Sequence, residues 1–435
     1  MRAYDTYKDS GISWLGQIPS HWDVKRTRIV LAENTTVNSD ASITTQLQFK
    51  YGEIEPKANQ TIDDGVRETI SKYTVADEGD IMINGLNLNY DFISQRVGQV
   101  KEKGCITSAY ISLRPTELAD SRYYTYFLKA MDNIKMFHGM GSGVRLTLSY
   151  KELKNMFIPI PPIGEQRAMA DYIDSVTAEI DQAIASQQHM VERLQERKQI
   201  IINEAVTRGI NPDAPMKQTS INWLPDIPAH WDLRRLKYVS YDYKAGPFGS
   251  SLITSELNSE GNILVYTPEH IANQSTDIEG NLYLPESRKN EMSQFFIKPG
   301  DIIFPIVGSL GRAMIIQEGM PNGIINQRLA KFAINPDYLD TNYFMWLFAY
   351  STVYDDYIIL TQRGSIIVNL TKGIVGNMPI PLPPIDEQKH IVSFIRNATE
   401  PIDSAISRCE QMIELLTERK QILINDVVTG KIKIL

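Results

Sequence analysis

Apolar residues recur at alternating steps of four and three along two stretches of roughly forty residues. The first runs Met169, Ile173, Val176, Ile180, Ala183, Gln187, Met190, Leu194, Arg197, Ile201; the second runs Ile391, Ile395, Ala398, Ile402, Ala405, Cys409, Met412, Leu416, Arg419, Leu423. This is the heptad seam of a coiled coil. It predicts two long helices, each about 60 Å at ~1.5 Å per residue. So narrow an apolar stripe does not stabilise a lone helix, so the two are expected to pair, antiparallel. Pro161-Pro162 and Pro383-Pro384 end the incoming chain, and Glu165 and Asp386-Glu387 place acid at the positive helix end. Pro401, which stands where the first copy has Glu179, predicts a kink or short break.

The flanks of these stretches are also written twice. Trp14-Leu15-Gly16-Gln17-Ile18-Pro19-Ser20-His21-Trp22 returns as Trp223-Leu224-Pro225-Asp226-Ile227-Pro228-Ala229-His230-Trp231. Pro161-Pro162-Ile163-Gly164-Glu165-Gln166 returns as Pro383-Pro384-Ile385-Asp386-Glu387-Gln388, and Glu196-Arg197-Lys198-Gln199-Ile200 as Glu418-Arg419-Lys420-Gln421-Ile422. Between the repeats the two copies share only sparse landmarks, such as Gly79-Asp80-Ile81 and Gly300-Asp301-Ile302. The expected fold class is therefore α+β: two divergent mixed domains on one repeated frame, joined by two long helices forming an antiparallel coiled coil. The expected boundaries are an N-terminal frame segment 1–22, a domain 23–157, a central frame 158–222 with the first helix, a domain 223–379, and a C-terminal frame 380–435 with the second. Gly209 to Pro215 reads as the linker.

The net charge of −8 argues against a strongly basic DNA-binding surface. Residues 165–208 and 386–430 each hold eight acidic and five basic side chains, so six of those negative charges belong to the helices. The domains are near neutral, and the chain alone is expected to bind DNA weakly. No signal core or membrane-length apolar run is evident, which suggests a cytoplasmic protein. Cys105 and Cys409 form no paired spacing, and the six histidines show no metal-ligand spacing. The Pro-Pro pairs lack the preceding Asn or Asp of an adenine methyltransferase loop. Gly139-Met140-Gly141-Ser142-Gly143 lacks the Lys-Ser/Thr of a phosphate loop, and Pro336-Asp337 lacks the partners of a nuclease motif. A catalytic role is not expected.

The doubled frame motifs Trp-Leu-x-x-Ile-Pro-x-His-Trp, Pro-Leu/Ile-Pro-Pro-Ile-x-Glu-Gln and Glu-Arg-Lys-Gln-Ile resemble the conserved regions of the specificity subunits of Type I restriction–modification systems. Lys244-Ala245-Gly246-Pro247-Phe248-Gly249-Ser250-Ser251, Gly308-Ser309-Leu310-Gly311 and Asn326-Gln327-Arg328-Leu329-Ala330 are similar to landmarks of that family's target recognition domains, as are Thr107-Ser108-Ala109-Tyr110 and Gly141-Ser142-Gly143-Val144-Arg145. The resemblance spans essentially the whole chain. It implies a non-catalytic subunit whose two domains each read half of a split, asymmetric target in double-stranded DNA. It also implies a frame that binds two methyltransferase subunits, with restriction subunits joining them. No cofactor is expected on this chain; S-adenosylmethionine, ATP and magnesium belong to the partners. The alternative is a coiled-coil scaffold with two peptide- or ligand-binding domains.

Base edges are read by polar side chains on loops. The DNA-contacting candidates in the first domain are Asn84, Asn87, Asn89, Tyr90, Arg96, Ser108, Tyr110 and Arg145. In the second they are Lys244, Ser250, Ser251, Arg312, Gln327, Arg328 and Arg363. The candidates for partner binding are Arg197, Arg419, Glu165, Gln166, Glu387 and Gln388. His21 and His230 are expected to pack and cap at the junction of domain and frame.

Overall fold

A computed structural model describes residues 2–50, 52–58, 61–141, 146–248, 251–307, 313–361 and 370–434. The chain divides into two compact units that are not contiguous in sequence: 1–188 with 410–435, and 189–409. Both long helices cross this division, so each unit holds one half of each.

In the first unit a four-stranded antiparallel sheet is built from β1 (Leu31–Glu33), β2 (Ile81–Ile83), β3 (Val97–Gln99) and β4 (Ile111–Pro115), in the order β1-β4-β2-β3. Helix α1 (Ser121–Asn133) follows, capped by Asp120, whose carboxylate accepts from the Tyr123 amide at 3.1 Å. Tyr123, Tyr124, Phe127 and Leu128 form its buried face, as the aromatic cluster in the sequence suggests. Helix α2 (Ile163–Arg208) then begins. Its residues Met169, Ala170 and Ile173 share a core with Leu423, Ile424, Val427 and Val428 from the end of the last helix, so the two helix halves run antiparallel within the unit.

The second unit repeats this plan. Strands β5 (Ser240–Ala245), β6 (Asp301–Pro305), β7 (Met314–Ile315) and β8 (Leu329–Ile334) form a sheet in the order β5-β8-β6-β7. Helix α3 (Thr341–Met345) starts at Asp340, which caps Tyr343 at 2.9 Å. Ile202, Ala205 and Val206 from α2 pack with Ile391, Val392 and Ile395 from α4 (Ile385–Val428). The units differ beside the sheets. Thr74–Ala76 pairs antiparallel with Gly104–Ile106, whereas Leu264–Tyr266 pairs parallel with Gly323–Ile325.

Two expectations need correction. Helix α4 runs through Pro401 without a break. Pro401 is exposed and Ile402 beside it is buried, so the missing amide falls on the solvent side while packing holds the helix. The seam also departs from a strict seven-residue repeat. Met190, Arg197, Met412 and Arg419 face solvent, while Val191, Lys198, Ile413 and Lys420 are half-buried in their place. A helix of 3.6 residues per turn drifts about 20° per heptad, which moves the contact line to the next residue.

Candidate functional site

The frame grips each domain through one repeated set of bonds. In the first unit Trp22 Nε1 donates to Glu165 Oε2 at 3.0 Å, and His21 Nε2 lies 2.6 Å from Glu165 Oε1. In the second, Trp231 Nε1 donates to Glu387 at 3.0 Å, and His230 Nε2 lies 2.8 Å away. Gln166 accepts from the Asp120 amide at 2.8 Å and donates to the Leu118 and Pro161 carbonyls at 2.9 and 2.8 Å. Gln388 does the same with Asp340 (2.7 Å), Tyr338 (2.9 Å) and Pro383 (2.8 Å). Gly209 and Gly430 close the two helices with φ of 75° and 78°, and each lies against the tryptophan of its own unit.

These bonds revise the partner-binding set. Gln166 and Gln388 are fully buried and their amides bond inside the unit, so they hold the domain rather than face a partner. Glu165 and Glu387 are mostly taken up by the Trp-His pairs. Arg197 and Arg419 stand exposed, with no ion pair among the described residues. The neighbouring lysines, shifted into the seam, carry the pairing: Lys198 to Asp403 at 2.6 Å and Lys420 to Asp181 at 2.7 Å.

The sheet register sorts the remaining candidates. Ile83 pairs with Ile111, so Asn84 leaves β2 at the end where Tyr110 enters β4. Pro115, at the opposite end of β4, leads to Leu118 and Asp120, the partners of Gln166. The loops 84–96 and 107–110 therefore sit at the end of the sheet remote from the frame. In the second unit Pro305 pairs with Leu329 and Ala245 with Ala330. That places Gln327, Arg328, Lys244 and residues 246–248 at the matching end. Gln327, Arg328 and Ser251 are exposed. Lys244 is half-buried, with its ammonium 5.6 Å from the centre of the Phe295 ring. Ser108 is exposed and donates to the Lys72 carbonyl at 2.9 Å; Tyr110 packs edge-on to Phe49. Arg145, Ser250, Arg312 and Arg363 lie outside the described residues.

Arg96 is the main surprise in the first domain. It is buried, and its guanidinium donates to the carbonyls of Asn84 (3.1 Å), Leu86 (2.9 Å) and Asp91 (2.8 Å). It ties the loop together from within and is not placed to touch a ligand. Its own amide donates to Asp132 Oδ2 at 2.7 Å, and burial pushes the Asp132 carboxyl above its usual range. Asp91 accepts from the Ile93 and Ser94 amides at 3.0 and 2.9 Å; these bonds hold its pKa down at about 2. Asn87 sits at the turn with φ of 52°, and Asn87 and Tyr90 project outward. An Arg within an Asn-rich loop gave no signal in the sequence that separated an internal clamp from a contact residue.

Among the described residues no group of three or more His, Cys, Asp or Glu could hold a metal ion, and no helix is long and apolar enough to cross a membrane. The chemistry of the remote face is that of hydrogen-bonding loops on a rigid sheet.

A frame used twice and two divergent loop faces define a class of paired recognition modules, and comparison with known proteins agrees. Residues 22–188 and 244–414 each match the family model for the Type I restriction modification DNA specificity domain, and the chain belongs to that family. It is 22% identical over 429 residues to the Type I restriction enzyme MjaVIII specificity subunit of Methanocaldococcus jannaschii, covering 96% of this chain and 94% of that one. It is 21% identical over 290 residues to the EcoBI specificity subunit of Escherichia coli, covering 66% and 60%. Among solved structures, a chain from work on complex assembly and conformational transition of a type I R-M system superposes with a TM-score of 0.71 at 15% identity, covering 95% of this chain and 99% of that one. The HsdS subunit from Thermoanaerobacter tengcongensis gives 0.50 at 16% identity, covering 95% and 98%.

Proposed function

We propose that this chain is the non-catalytic, sequence-reading subunit of a Type I restriction–modification assembly. The domains at 23–157 and 223–379 each read one half of a split, asymmetric site in double-stranded DNA. The reading faces are the loops remote from the frame: Asn84, Asn87, Asn89, Tyr90, Ser108 and Tyr110 in the first domain, and Lys244, Ser251, Gln327 and Arg328 in the second. The frame recruits two methyltransferase subunits, which carry S-adenosylmethionine and methylate adenine, and restriction subunits join them with ATP and magnesium. Arg197 and Arg419, exposed and without an ion pair among the described residues, are the cations we assign to that docking.

One observation carries the reading. Candidates scattered through the sequence meet at the same end of each four-stranded sheet, opposite the repeated grip of the frame. Family membership supplies the ligand class. The test is co-expression with a methyltransferase subunit encoded beside it, followed by mapping of methylated adenines. A two-part motif is expected, and Arg328→Ala should relax one half of it alone. A stable complex that leaves every adenine unmethylated would overturn the proposal.

A further inference from the structure

The three most exposed large apolar side chains among the described residues are Ile93 (94%), Phe248 (82%) and Tyr90 (78%). All three lie on loops at the reading end of a sheet. Single exposed apolar residues are ordinary on protein surfaces; finding the most exposed ones together on the proposed reading faces is not. We infer that Ile93 and Phe248 are apolar wedges that insert between base pairs, one in each half-site. The inference rests on the reading-face assignment and deepens it.

The construction of the first loop supports insertion over a loose surface contact. The Arg96 clamp fixes three of its carbonyls, and Asp91 fixes the backbone at Ile93 itself. Phe92 stacks on His138 with ring centres 4.6 Å apart, and His138 Nε2 bonds the Asp91 carbonyl at 3.0 Å. The loop is pinned on both sides of its tip, yet the tip points away from the core. A rigid backbone carrying a β-branched side chain loses little entropy on insertion, and apolar wedges of this kind unstack a base step in groove-binding proteins. Asn87, exposed before the tip, carries groups able to bond base edges or phosphates.

Three of the five buried side-chain polar atoms without a partner among the described residues lie in this loop, on Asn89, Gln95 and Arg96; the other two, on Asp132 and His138, lie behind it. Buried polar atoms are normally paired.

The repeat supplies an independent argument. The sheets have the same strand order, but the β2–β3 connection spans 84–96 while its counterpart β6–β7 spans only 306–313. In the second domain Phe248, the most exposed large apolar side chain among that unit's described residues, lies in the segment after β5, where the Gly246 amide bonds the Leu329 carbonyl at 2.8 Å. One frame thus presents wedges from two different loops, as two unlike half-sites require.

The test uses the complex with methyltransferase subunits and a duplex carrying its mapped motif, with 2-aminopurine placed in turn at positions other than the methylated adenines. Wild type should brighten one step in each half-site. Ile93→Ala should abolish the signal in the first half-site, Phe248→Ala in the second, and Ile93→Leu should retain it. Each alanine variant should raise Kd about tenfold. A motif without any brightened step, or alanine variants that bind and brighten as wild type does, would overturn the wedge alone. Loss of the methyltransferase complex in the absence of DNA would assign the tips to a protein interface and overturn it too. Absence of any motif would bring down the reading face, and the wedge with it.

Discussion

The indole nitrogen of Trp22 donates to Glu165 Oε2 at 3.0 Å, joining the end of the N-terminal frame segment to the first turn of a 46-residue helix. Tyr4 and His21 converge on the same carboxylate. Hydrogen bonds to a charged group contribute roughly 1.5–3 kcal/mol. Glu165→Ala should therefore destabilise the first unit by about 2 kcal/mol, and Glu165→Gln by less, because the amide still accepts from one donor. Hydrogen exchange of residues 17–26 reads the effect, and unchanged protection in the alanine variant would count against it.

Arg96 offers a way to tell clamp from contact. Removing an arginine that neutralises a phosphate lowers the slope of log K against log salt by about 0.9. Arg96→Met should weaken DNA binding by the assembled complex without changing that slope, because the guanidinium is bound to the loop's own carbonyls. A titration of affinity against salt decides between the two.

His270 makes the second unit sensitive to mild acid. Its Nδ1 accepts from the Thr267 amide and its Nε2 faces Asn281 Oδ1, each at 3.0 Å. Burial lowers its pKa below the ordinary 6.5. A group depressed in this way favours the folded state above 6.5, and that contribution is lost as pH falls below it. The melting temperature of wild type should drop more between pH 7.5 and 5.5 than that of His270→Gln. Parallel curves would show that the histidine is not responsible.

Arg197→Ala and Arg419→Ala should leave stability within about 0.5 kcal/mol, since both side chains are exposed and have no ion pair among the described residues. Each should weaken assembly with the methyltransferase subunit. Calorimetric titration of the two proteins provides the measurement, and wild-type affinity in the double variant would remove these residues from the interface.

How much of this was legible in the sequence varies by element. The frame was readable because its repeated residues make repeated bonds: Gln166 and Gln388 differ in position by 222 residues and bond an equivalent set of three backbone groups. The same repetition misled on their role, because a buried strut recurs as faithfully as a docking residue. The seam was legible to within one residue; the drift that puts Lys198 in place of Arg197 follows from helix pitch, which a seven-residue template ignores. Of the kink or short break expected at Pro401, the break is absent because local propensity yields to packing. The loops were least legible. Spacing located the polar residues of 84–96, but only the strand register brings them to the face shared with 107–110.

The Tyr123 hydroxyl, fully buried, donates to the carbonyl of Val428 at 2.9 Å across 305 residues of chain. Leu423, Ile424 and Val427 complete the same core. A ribosome adding about 5–20 residues per second needs roughly 15–60 s to travel that distance. The first domain to be synthesised is thus among the last to be finished. Through that interval Met169, Ala170 and Ile173 lack their final covering, a natural opening for chaperones and a reason for such long-range contacts to slow folding.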